Sequence, residues 1–155
     1  MLGEKIRIPY KVNSGKYKIN SIKNIYDLHS DNENLKVWTK SKWKNAKITR
    51  KKIDLLYEVT FNNDNNIYYF DKNHLFKILG EDNLQETYML MTGDEIPYAR
   101  KPFRDRDLFE YRTVKDVTDE VAENQYVYDI EVNSSMYMLY SGLYIWNPKL
   151  YKENF

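Results

Sequence analysis

The sequence predicts an all-β domain, and three observations carry that prediction. Short apolar segments with partial two-residue alternation recur at roughly 8–12-residue spacing, bounded by Asn, Asp, Ser or Gly. Tyrosine is abundant (15 residues) and glycine scarce (five), which suits pleated, half-buried surfaces. Ile22 to Leu28, with Ile22, Ile25, Tyr26 and Leu28, comes closer to helical spacing, so a short helix or turn is expected there. At 155 residues the chain suits one domain with one core.

The elements follow in order. Lys5 to Val12 alternates around Ile6 and Ile8, Asn13-Ser14-Gly15 signals a turn, and Lys16 to Ile19 alternates again, which reads as a β-hairpin. His29 to Asn34 is a polar loop. Strands are expected at Leu35 to Trp38, Trp43 to Ile48 and Asp54 to Phe61. Asn62 to Asn66 reads as a turn, because Asn and Asp tolerate positive φ, and Ile67 to Phe70 returns to complete a second hairpin. His74 to Leu79 follows at once, Tyr88 to Leu90 reads as a short strand, and Gly93-Asp94-Glu95 as a turn. Ala99 to Asp107, dense in charge around Pro102, reads as an exposed loop. Leu108 to Val117 and Tyr126 to Val132 are expected strands, with a break at Thr118-Asp119-Glu120. Asn133 to Ser135 turns, Met136 to Tyr140 runs on, Ser141-Gly142 turns, and Leu143 to Trp146 closes the pattern before a tail from Pro148 to Phe155.

Composition excludes several functional classes. Lys+Arg 24 against Asp+Glu 23 leaves a net charge of +1, which argues against a strongly basic nucleic-acid binder. The absence of Cys removes disulfides, thiolate-ligated zinc, iron–sulfur clusters and any thiol nucleophile. Two His make a multi-histidine metal site a poor expectation. No apolar run reaches the ~18 residues of a membrane span. The mixed, charged Met1 to Tyr10 does not read as a signal peptide, so a cytoplasmic protein without membrane partner is expected.

The last third of the chain carries a motif. Val127-Tyr-Asp-Ile-Glu-Val132 is followed by a turn, an apolar strand, Ser141-Gly142 and Leu143-Tyr-Ile-Trp-Asn147. This resembles the C-terminal signature of inteins, the self-splicing domains of the hedgehog/intein (Hint) fold. There Val-Tyr-Asp-Leu leads to a histidine-containing segment, Asn-Gly, an apolar triplet and a terminal His-Asn. The spacing from Val127 to Asn147 fits without a gap. A middle block resembles the family's Thr-x-x-His motif, which follows a hairpin: Tyr57 to Phe61, the Asn-rich turn, Ile67 to Phe70, then Asp71-Lys-Asn-His74. Tyr88 to Asp94 is similar to the strand and turn that come next, and Leu2 to Ile8 with the Gly15 hairpin resembles the N-terminal block more weakly. Ala99 to Asp107 sits where many inteins carry a homing endonuclease, for which this length leaves no room.

The resemblance implies an intein-like domain over residues 1–147 and a flanking segment over 148–155. It implies a horseshoe-like Hint fold with pseudo-two-fold halves and one or two short helices. The implied activity is single-turnover, autocatalytic splicing: an N-terminal acyl shift, transesterification, and cyclisation of Asn147. The implied partners are flanking extein sequences, and a complementary split fragment if the chain is broken at Ala99 to Asp107 or His29 to Asn34. No cofactor and no metal is implied.

Residue by residue, the fit is incomplete. Met1 stands at or beside the upstream nucleophile position, and a thioether cannot perform the attack. Asp71 replaces a hydroxyl that would help hold the scissile carbonyl oxygen; an ionised carboxylate cannot stabilise an oxyanion. His74 is placed to protonate the leaving amide nitrogen. Asp129 matches the aspartate that shuttles protons or coordinates the two junctions. Trp146 and Met136 occupy the places of the two histidines that assist Asn147, and neither transfers protons at neutral pH. Pro148 stands where Cys, Ser or Thr would accept the transferred chain, so ligation through it is not possible as written, while cleavage after Asn147 remains possible. An inactivated form and a degenerate relative both fit these departures.

A different class stays open: a β-rich binding module for single-stranded nucleic acid or a protein. Trp38, Trp43, Tyr57, Tyr68 and Tyr69, with the basic run Lys40 to Lys52, could stack bases and track phosphates. That reading requires these aromatics to line one exposed face. The splicing reading requires Met1, His74, Asp129 and Asn147 to share one small site.

Overall fold

A computed structural model describes residues 1–13, 15–99, 103 and 109–146, and of residues 121–124 the backbone alone. In chain order the elements are β1 (Leu2–Gly3), β2 (Arg7–Val12), β3 (Lys18–Ser21), α1 (Ile22–His29), β4 (Leu35–Trp38), β5 (Trp43–Phe61) and β6 (Tyr68–Phe70). They continue with β7 (Leu75–Phe76), β8 (Gln85–Glu86), a 3-10 turn at Thr87–Met89, β9 (Glu95–Ala99), β10 (Phe109–Val132), β11 (Met136–Met138) and β12 (Tyr144–Trp146). The domain is all-β with one α-helix among the described residues, as its composition and alternation predict. The helix starts where Ser21 Oγ accepts the Asn24 N–H at 3.2 Å, and it buries Ile22 and Ile25.

Three sequence expectations need correction. Trp43 to Ile48 and Asp54 to Phe61 are one strand, β5, running through the basic Arg50-Lys51-Lys52. The expected strands at Leu108 to Val117 (of which Leu108 lies outside the described residues) and Tyr126 to Val132 likewise merge into β10, without a break at Thr118-Asp119-Glu120. The cause is mutual: β5 and β10 pair antiparallel from Phe61↔Val114 to Ala46↔Val132, so each supplies the backbone partners that hold the other's polar stretch extended. Two register shifts, at Val114/Asp116 and Val121/Gln125, absorb the surplus residues of β10. Third, Tyr88 lies in a 3-10 turn closed by the Leu90 N–H to Thr87 O at 3.1 Å, not in a strand. The structure adds β9, an edge strand to which the sequence analysis assigned no element and where Pro97 is tolerated. Ser14, the expected loop at Ala99 to Asp107 (apart from Ala99 and Phe103), and the tail lie outside the described residues.

Eight strands join in the order β3-β2-β4-β5-β6-β1-β10-β9, and β5 also pairs with β10, so the β5-β6-β1-β10 pairings close on themselves. The main core lies within this curled sheet and includes Leu2, Ile8, Phe61, Phe70, Tyr98 and Tyr128. A second apolar cluster joins Trp38, Met136, Met138 and Tyr144, with Trp43, Phe103, Phe109 and Trp146 packed on it. Asp64 ties the β5–β6 turn to the C-terminal hairpin. Its carboxylate accepts Tyr68 OH at 2.6 Å and Tyr98 OH at 3.1 Å, and Tyr68 also bonds Ser141.

The two-residue β1 is wedged between β6 and β10, with Leu2 opposite both Phe70 and Tyr128 and Gly3 opposite Val127. A Cβ on Gly3 would lie 2.6 Å from Tyr69 Cβ and 2.9 Å from Tyr69 O. Gly3→Ala is therefore expected to cost about 1–3 kcal/mol by forcing β1 off β6, read as a lowered thermal midpoint.

Candidate functional site

Three local structures converge on the nitrogen of residue 1. The fully buried Leu2 anchors β1, and the Asp71 N–H donates to Met1 O at 3.2 Å. After β6 the chain turns tightly, with the His74 N–H donating to Asp71 O at 3.3 Å. The carbonyl of His74 accepts both the N–H (2.9 Å) and the hydroxyl (3.1 Å) of Thr87. The imidazole stacks on Phe70 (4.7 Å between ring centroids, 27°) and meets Phe76 edge-on (4.9 Å, 69°). So held, His74 Nδ1 lies 2.7 Å from the Met1 nitrogen, and Asp71 Oδ1 lies 2.8 Å from the same atom.

Burial sets the electrostatics. Desolvation lowers the pKa of the Met1 ammonium; the Asp71 charge and hydrogen bond oppose this, and Lys51 adds a smaller lowering. Desolvation first, and then the positive residue-1 nitrogen, hold His74 well below its ordinary value of 6.5. The imidazole is therefore neutral at pH 7, and its buried Nε2 has no hydrogen-bond partner among the described residues. This carries a pH prediction. Well above pH 6.5 neither folded nor unfolded His74 is charged, and stability is unaffected. Below it the unfolded chain takes up a proton that the folded one refuses, so stability falls with pH by up to ~1.4 kcal/mol per unit until the folded value is reached. Chemical denaturation between pH 7 and 5 reads this, and His74→Phe should flatten the slope.

Across from this corner, β10 carries Asp129 opposite Thr49, with Lys51 one diagonal step away on the same face. Met1, Asp71, His74, Asp129 and Trp146 line one cleft of about 920 Å³, together with Lys51, Asn73 and Tyr137. Asp129 is exposed to solvent through this cleft, whereas Asp71 and His74 are buried. Met136 is elsewhere: it packs into the second apolar cluster, directly opposite Trp146 in the β11–β12 register. Asn147 and Pro148 lie outside the described residues.

Sequence reasoning missed Lys51, Asn73 and Tyr137. Lys51 was hidden in the basic run Lys40 to Lys52, considered only for tracking phosphates; its signal is the register that sets it opposite Val127 of the C-terminal motif. Asn73 donates through Nδ2 to Glu86 Oε2 at 2.6 Å and ties the histidine turn to β8. The aromatics of the binding-module reading do not form one exposed face. Trp38 and Tyr68 are buried, and Trp43 packs against Phe103 and Trp38. Among the described residues no helix is long and apolar enough to cross a membrane.

No model of a protein family matches the sequence, and no curated protein is significantly similar to it. Solved structures are similar in fold. The transcription factor IIB Mvu mini-intein is 16% identical, with 95% of this chain and 100% of that one covered at a TM-score of 0.76. The DnaB intein from Synechocystis is 15% identical, with 94% and 96% covered at 0.69. The Pab PolII intein is 8% identical, with 95% and 100% covered at 0.75. At such identities likeness establishes architecture, and over nearly its whole length this chain is a domain of the intein (Hint) fold.

Proposed function

We propose that the chain is an intein-type autoprocessing domain whose junction chemistry is impaired by its own residues. One observation carries the reading. The nitrogen of residue 1 sits within hydrogen-bond reach of a buried neutral His74, in a cleft that Asp129 and Trp146 also line. In a precursor that nitrogen would be the amide of the upstream junction. The tautomer with the proton on Nδ1 then donates to it as the C–N bond breaks. The same tautomer leaves no orphan N–H on the unpartnered Nε2, since a bare acceptor is the cheaper group to bury.

The upstream step fails for want of a nucleophile. The Met1 sulfur has no proton to lose and would become a sulfonium on attack. Asp71 worsens the site for oxyanion formation. Downstream, Asn147 Nδ2 would attack its own carbonyl carbon to form a succinimide and release the chain from Pro148 onward. Pro148 offers no side-chain nucleophile for ligation. The flanking segments at both junctions are then the partners of the reaction.

The test is restoration. Met1→Cys and Pro148→Ser, placed between two reporter exteins, should yield a ligated product of the expected mass. No ligation and no cleavage at either junction would leave the fold without the activity.

A further inference from the structure

We propose that Asp71 draws the acyl shift at the upstream junction toward the ester, by pairing with the ammonium that the shift frees at residue 1. The inference rests on the splicing reading above. It gives Asp71 a part in the equilibrium of the same step that its missing hydroxyl slows. Three observations carry it.

First, the partner is in place. The nitrogen of residue 1 is here an α-ammonium, the group that the shift would free, and Asp71 Oδ1 lies 2.8 Å from it. The pair is sheltered, its two side chains being 20% and 10% exposed. Second, the carboxylate suits a charge. Among the described residues its one ion pair is with this nitrogen. Opposite an amide, which carries no charge, the same carboxylate would be buried without a counter-ion, and that costs free energy. Asp71 therefore disfavours the amide and favours the ammonium, and only such a difference moves an equilibrium. Third, the turn does not depend on the carboxylate. Its bonds run through the backbone, from the Asp71 N–H to Met1 O at 3.2 Å and from the His74 N–H to Asp71 O at 3.3 Å. The side chain can be exchanged without losing them.

The other groups that face this nitrogen are His74 in the same turn, Asp129 on β10 and Lys51 on β5. Desolvation lowers the ammonium from its ordinary value of 8.0; Asp71 opposes this most, Asp129 less, and Lys51 adds to the lowering. His74 is itself held neutral by desolvation and brings no charge. With a thiol at position 1 the step balances as follows. The sulfur loses its proton and bonds the upstream carbonyl carbon, and the C–N bond to residue 1 breaks. The nitrogen takes up the proton that the thiol lost and one more from solvent, and the ammonium so formed pairs with Asp71. Each unit fall in pH below the amine's own pKa then favours the thioester by a factor of about ten.

The experiment uses the full chain as a Met1→Cys form behind an upstream segment whose last carbonyl carries carbon-13. Carbon-13 resonance reads the ratio of thioester to amide at equilibrium from pH 5 to 8. Asp71→Asn keeps the shape without the charge. It should lower that ratio by about 10-fold or more at the acid end, the scale of one hydrogen bond to a charged group. The gap should close toward pH 8, where the freed amine is neutral in both chains. Asp71→Thr should also lower the ratio yet reach it sooner, since a hydroxyl can hold the carbonyl oxygen. Equal ratios for the Asp71 and Asp71→Asn chains overturn the proposal, and so does a gap of one size at every pH, which a merely structural residue would give. An Asp71 chain that stays wholly amide while added thiol still releases the upstream segment overturns it too. Each of these leaves the splicing reading intact. No thioester and no thiol-induced release in any of the three chains overturns both.

Discussion

Replacing His74 by alanine should lower cleavage at the upstream junction by about 10²–10⁴-fold, the range for loss of a positioned general acid. The measurement uses a Met1→Cys form with an upstream reporter, cleaved by an added thiol, so that the acyl shift is the step observed. The size of the effect follows from geometry. Nδ1 is 2.7 Å from the residue-1 nitrogen, and Phe70, Phe76 and the Thr87 bonds fix the ring and its backbone in that position. A loose imidazole would lose little on deletion; a clamped one has already met the ordering cost. The ring is buried, so alanine also leaves a cavity beside Phe70 and lowers stability. His74→Gln separates the two effects, since it keeps volume and a donor but cannot supply a proton. Stability recovered with cleavage still slow would identify proton transfer as the loss. Unchanged cleavage in both variants would remove His74 from the chemistry.

Legibility of this fold in its sequence depended on range. Turns set by local chemistry were readable: Asn13 and Asn63 adopt positive φ (both 61°), and Gly93 (97°) and Gly142 (93°) turn where expected. Strand length was not readable, because polar stretches such as Arg50-Lys51-Lys52 are held extended by β10, more than 70 residues away. A local pattern carries no trace of that partner. The site divides in the same way. His74 and Asp129 were legible through motif spacing, and they share a cleft with Met1. Lys51 and Tyr137 were not, since their places in this cleft arise only from register: Lys51 from the β5–β10 pairing, Tyr137 from its place opposite Ile145. Asp71 was read as a departure from the family pattern. The structure adds that its carboxylate holds the residue-1 nitrogen as a charged partner, which a hydroxyl would do less strongly.

Returning a histidine to the C-terminal hairpin should accelerate cyclisation of Asn147 by about 10²-fold or more, and the two available positions are not equivalent. Trp146 is half-buried, lines the cleft and packs at the rim of the second apolar cluster, its ring centroid 6.3 Å from that of Phe109. An imidazole there, open to the cleft, can exchange protons with solvent. Met136 is 5% exposed and packs with Trp38, Met138 and Tyr144. An imidazole in that setting is desolvated, stays neutral at pH 7 and costs about 1–3 kcal/mol unless it finds a partner. Trp146→His is therefore the stronger variant, and Met136→His alone should destabilise more than it accelerates. The two positions face each other across the ladder, so the double variant gives the inner ring a hydrogen-bond partner and should recover part of that stability. Release of residues 148–155, followed by mass from pH 5 to 8, separates the cases. Trp146→His should introduce an inflection near the histidine range of about 6.5 that the parent lacks. A Trp146→His chain that cleaves no faster than the parent would mean that proton supply does not limit this junction.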